Sequence, residues 1–145
     1  MGCAIFTPLA PPCKGEDTEN TEAHTMTILA NIAVAFVALL HVYFLVLEMF
    51  FWDKPLGLRT FRLTPEFAQA SKSLAANQSL YNGFLAAGLL WGMLLGTTGD
   101  AIKIFCLLCI IVAGIFGALT VGKKILWIQA APALAALGLV LLGAH

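Results

Sequence analysis

Charge is what this chain has least of. Only 11% of its 145 residues are Asp, Glu, Lys or Arg, while 60% are hydrophobic and the mean hydropathy is +0.90. A soluble domain carries roughly 25% charged residues, so too little polar surface is present to solvate a globule. Eight basic residues cancel eight acidic ones, which removes any bulk electrostatic attraction to nucleic acid. Strand-like alternation is missing from the apolar runs, and open sheet edges are excluded in lipid, so those runs are helices. No basic stretch leads into a short apolar core at the start, which excludes a signal peptide. His41 and Glu48 lie too far apart to chelate one ion, and a zinc site needs four close ligands. No metal or other cofactor is expected.

Long apolar runs are what the chain has instead. The first covers 27–52, more than the ~20 apolar residues that cross a ~30 Å hydrocarbon core. Three more follow, at about 74–96, 104–121 and 125–144. Only Thr97-Thr98-Gly99-Asp100 and Gly122-Lys123-Lys124 join the last three, and joins that short make neighbours antiparallel. The expected fold is all-α: an integral membrane four-helix bundle with up-down connectivity over residues 26–145. Lys54, Arg59, Arg62, Lys72, Lys123 and Lys124 fall on one side, and only Lys14 and Lys103 on the other. That bias predicts a multi-pass protein of the inner (plasma) membrane with both termini outside. Lys103, at the head of the third span, is expected to snorkel to the interface.

Residues 1–25 are a different kind of sequence. Pro8, Pro11 and Pro12, with Glu16, Asp17, Glu19 and Glu22, predict a disordered leader or a mis-set start before Met26. Met1-Gly2-Cys3 invites an acylation reading, but the pattern wants Ser or Thr where Phe6 stands. In the first loop, Pro55 and Gly57 mark a turn, and Thr64-Pro65-Glu66 reads as the start of a helix that lies along the membrane surface before entering span two.

The informative residues are the polar ones inside the spans. Glu48 is a carboxylate in an apolar run, and such groups face a bundle interior, a partner or water. His41 lies within ~20° of it on one helix face and ~10.5 Å away along the axis. Span two opens with Asn77, Gln78, Tyr81 and Asn82, a polar patch expected level with Glu48, with Asn82 a turn deeper. Gln129 in span four falls at a similar depth. Together they predict a polar pocket in the cytoplasmic half, with Glu48 and His41 as acid/base groups and Asn77, Gln78, Tyr81, Asn82 and Gln129 as ligand contacts. Interhelical hydrogen bonding alone also accounts for membrane amides. Gly88, Gly92 and Gly96 make a small-xxx-small repeat for helix packing, placed on about the face of Asn77 and Tyr81. Cys106 and Cys109 read as apolar packing, because a redox pair needs thiolate character and access. Pro132 is expected to kink span four.

The strings from His41 to Trp52 and from Leu74 to Leu89 resemble a small bacterial four-helix membrane family catalogued as domain of unknown function 1304. The likeness runs from Met26 onward and supports setting the leader apart; it implies the architecture and carries no established activity. Two function classes stand open. One is a binder or enzyme for an apolar small molecule entering from membrane lipid. The other is a proton-coupled small-molecule exporter resembling small multidrug transporters, which keep a glutamate in the first helix, though there it lies mid-membrane. A structural subunit, alone or in a homo-oligomer, is the plainer alternative.

Overall fold

A computed structural model describes residues 14–143, and these are almost wholly helical. Helix α1 is Lys14–Phe50, α2 is Pro55–Phe61, α3 is Pro65–Leu94, α4 is Asp100–Thr120 and α5 is Ala131–Gly143. A 3₁₀ turn, Gly96–Gly99, links α3 to α4, and a π-helical turn, Leu126–Ala130, leads into α5. Three of these stretches are long and apolar enough to cross a membrane: Asn20–Phe50, Gly96–Thr120 and Leu126–Gly143. The second expected span does not reach that level, because Asn77, Gln78 and Asn82 dilute its first half.

Element boundaries follow local chemistry. The Thr64 hydroxyl accepts from the Phe67 amide at 3.3 Å and Pro65 takes the first turn, as N-cap geometry requires. From there α3 is one uninterrupted helix to Leu94, so the helix that starts at Pro65 runs on into span two as expected. Instead of a simple turn at Pro55 and Gly57, a short helix forms there and ends at Arg62 with φ 55°. Residues 14–25 continue α1 as helix, inside the stretch whose composition suggests disorder; the leader before Lys14 lies outside the described residues. Near Pro132 the distortion is a π turn. Pro132 has no amide to give to the carbonyl four residues back, and the Ala131 amide reaches back to the Leu126 carbonyl, which widens the turn before the proline.

Helices α1 and α4 each pack against both α3 and α5. The shared core is small: Ala30, Val34, Val37 and Ala38 meet Leu89, Leu107, Ile110, Ala133, Ala136 and Val140. Large apolar side chains point outward on every helix, among them Phe36, Leu39, Phe84, Phe105, Phe116 and Leu134. Size, more than hydrophobicity, separates inside from outside, as expected where lipid is as apolar as the core.

Glycine sets the tightest approach. A Cβ on Gly99 would stand 2.1 Å from the Gly92 carbonyl oxygen, and one on Gly88 would stand 2.6 Å from the Cys106 sulfur. Gly88 and Gly92 therefore do hold α3 against α4. Gly96 does not: nothing lies within 4 Å of its Cβ position, and its φ of +64° instead ends the helix. Gly99→Ala should destabilise the protein by about 1–3 kcal/mol, the usual range for overpacking. Gly138→Ala, with open space around it, should be neutral or stabilising. Thermal unfolding in detergent checks both; equal melting temperatures for the two variants would contradict the close α3–α4 contact.

Candidate functional site

The inner face of α3 is a line of small and polar residues, Ala68, Ser71, Ala75, Ser79, Asn82 and Ala86. Their three- and four-residue spacing keeps them on one face. Contacts between α1 and α3 run along this line. The Trp52 indole donates to the Ser71 hydroxyl at 3.1 Å, and that hydroxyl donates to the Phe67 carbonyl at 2.6 Å. The Ser79 hydroxyl donates to the Ala76 carbonyl at 2.6 Å and lies 3.8 Å from the Met49 sulfur. Deeper, the Asn82 amide donates to Glu48 Oε2 at 2.9 Å.

That last contact joins the two most informative polar groups of spans one and two. Asn82 is buried and Glu48 half-buried, so an amide and a carboxylate meet where lipid or protein replaces most water. In such surroundings a hydrogen bond between the two is costly to leave unmade. Glu48 is level with Asn82 itself, not with Asn77 and Gln78 as the depth argument expected. Asn77, Gln78 and Tyr81 are exposed; Asn77 points almost opposite to the Ser79–Asn82 line. Gly88 and Gly92 do share the side of Asn77 and Tyr81 by helix geometry, but further along α3, where α4 covers that side. Gln129 is half-buried in the π turn before α5, with no hydrogen bond to the Glu48 group. Of the expected ligand contacts, only Asn82 is brought to the acid.

His41 sits one level further in and is 1% exposed. Its Nδ1 lies 2.9 Å from the Val37 carbonyl oxygen. A carbonyl only accepts, so Nδ1 carries the proton, and in the neutral ring Nε2 keeps its lone pair. Nε2 is buried without a hydrogen-bond partner among the described residues. The ring makes an edge contact with Phe44 at a centroid distance of 6.3 Å. His41 and Glu48 thus share a stripe of α1 without forming a pair.

Sequence reasoning missed a second polar group at the other end of these helices. Lys103 does not snorkel outward; it is 3% exposed and its ammonium pairs with Asp100 at 2.6 Å. The three-residue spacing on one helix was the available signal. Cys106 and Cys109 are free, the first buried against Gly88.

Residues 35–141 match the family model described as a protein of unknown function, DUF1304, and the chain belongs to that family. It is 33% identical over 114 residues to the uncharacterized protein YpaA of Lactococcus lactis subsp. lactis (strain IL1403), covering 77% of this chain and 96% of that one. No solved structure matches the chain.

Just beyond Glu48, Lys72 donates to Asp53 Oδ2 at 2.8 Å. That hydrogen bond, helped by the charges of Lys54 and Lys72, holds the Asp53 carboxyl below its ordinary value of 3.8. A depressed acid contributes stability above its unfolded value and loses it as pH falls through the folded one. The contribution should therefore be intact at neutral pH and fade only below about 3.8. Carboxyl-detected NMR of the purified protein should place the Asp53 midpoint below that value and move it up in Lys72→Met. At neutral pH the melting temperature of Lys72→Met should scarcely change, since exposed pairs contribute little.

Proposed function

We propose that this chain is a multi-pass protein of the bacterial inner (plasma) membrane that binds, and acts on or carries, an apolar small molecule taken from the lipid. The polar end of that molecule is held at Glu48 and Asn82. The observation that carries the reading is the 2.9 Å hydrogen bond from Asn82 to Glu48 Oε2 between α1 and α3. Packing alone does not call for a carboxylate there; two amides or two serines would bind the helices at lower desolvation cost. Oε1 makes no hydrogen bond among the described residues, so a ligand hydroxyl, amine or amide has an acceptor. Because a carboxyl gains and loses protons, the same group suits acid/base work.

In this reading α3 is the fourth span. Its large side chains Phe84, Leu90, Trp91 and Leu94 are exposed like those of the three apolar spans. The bundle is then antiparallel, with up-down connectivity. The pairing of Met49 with Ser79 and of Glu48 with Asn82 supports opposite directions for α1 and α3. The distribution of basic residues supports a cytoplasmic α1–α3 loop and α4–α5 turn, with both termini outside.

The ligand test uses Glu48→Gln, which keeps the shape and the possibility of a hydrogen bond. A lipophilic species should copurify with the wild-type protein in mild detergent, detected by solvent extraction and mass spectrometry. Losing a charge-assisted hydrogen bond is worth ~1.5–3 kcal/mol, so the variant should retain roughly 10- to 100-fold less of it at an unchanged melting temperature. Equal copurification, or a variant that no longer folds, would assign Glu48 to structure.

Orientation is tested separately, in a background with the native cysteines replaced. A cysteine at Thr98 should react with an impermeant maleimide added to whole cells, whereas one at Lys124 should react only after lysis. The reverse pattern would overturn the topology.

A further inference from the structure

At the end of α1 away from Glu48, a small cavity lies among Thr27, Asn31, Thr97, Asp100, Lys103 and Val140. Its volume is about 20 Å³, above the ~10–15 Å³ that one water needs. Two features of its lining call for an occupant. Lys103, at 3% exposed, is a buried ammonium with three donors, of which Asp100 takes one at 2.6 Å. Asn31 Oδ1 is a buried acceptor with no hydrogen-bond partner among the described residues. The residues that carry a donor without its full set and an acceptor without any thus line one space.

We propose that this cavity is a binding site for a single water, which accepts from the Lys103 ammonium and donates to Asn31 Oδ1. The second water proton is left for the Asp100 carboxylate or a threonine hydroxyl. Charge argues for a neutral occupant: Lys103 and Asp100 already cancel, so neither an anion nor a cation gains from entering. The lining is mixed, with Ala30 and Val140 beside Asn31, Asp100 and Lys103; those three polar side chains argue against an empty space, because cavities that stay dry are lined by apolar groups. Leaving Oδ1 unsatisfied would carry the desolvation penalty of a buried acceptor. The water joins α1 to α4, which lie across the ring from one another, and so links helices that share little direct packing. It stands independently of the ligand reading at Glu48.

Radiolytic hydroxyl-radical footprinting of the full chain in lipid nanodiscs, in ¹⁸O-labelled water, tests this. Radicals formed from a held water oxidise the side chains beside it. Val140, 2% exposed and lining the cavity, should take up ¹⁸O, whereas Val34, 0% exposed in the apolar core, should not. Equal background labelling of the two valines in the wild-type protein would overturn the proposal without any variant. In Asn31→Leu the added methyl groups fill the space and remove the acceptor, so the Val140 label should be lost. A label that persists in a folded Asn31→Leu protein would show that Asn31 holds no water, and would equally overturn it.

Discussion

Close approach between helices is the constraint on which the other features rest. In surroundings as apolar as the core, no hydrophobic gradient drives helices together, so contact has to come from shape and from a few polar links. Helix α3 meets this demand with its inner line of Ala, Ser, Asn and Gly. Where Gly92 passes Gly99, backbone nearly touches backbone. The same closeness lets the short side chain of Asn82 reach Glu48 directly. Had the line been built from Leu and Phe, that hydrogen bond would not span the gap.

Polar groups then occur at separate levels along α1. Glu48 meets Asn82 near one end, and Asn31 faces Lys103 and Asp100 across a small cavity near the other. His41 stands between them, its Nδ1 tied to its own helix and its Nε2 without a partner among the described residues. Apolar core residues such as Val34, Val37 and Leu107 fill the intervening levels. Among the described residues no hydrogen bond bridges the levels, so each polar group has to be satisfied locally, and each is a site where a missing or added partner matters.

How much of this was legible in the sequence depends on the kind of signal. Apolar length marked α1, α4 and α5, and Thr64 with Pro65 marked the start of α3, because both effects act locally. Glu48 and Asn82 stood out because a carboxylate and an amide are costly in lipid. Grouping residues by polarity alone failed for Asn77, Gln78 and Tyr81: it ignored the small-residue line that decides which way α3 faces. The repeat of Gly88, Gly92 and Gly96 was right for the first two and wrong for Gly96, whose place at the helix end depends on φ rather than packing. Lys103 was misread because a lysine at a span boundary ordinarily reaches outward, whereas the fold turns its ammonium inward onto Asp100, three residues before it.

Contact between α5 and α1 also sets an order on assembly during synthesis. Helices α1 and α3 emerge early and can pair as a hairpin, bringing Glu48 to Asn82 long before the rest exists. The cavity beside Asn31 is closed by Val140 and Gly143, near the end of the last described helix. Until those residues arrive, Asn31 and Lys103 have only a partial enclosure. The two polar ends of one helix are thus completed at different moments of translation, and a ribosome-stalled chain would carry the first and lack the second.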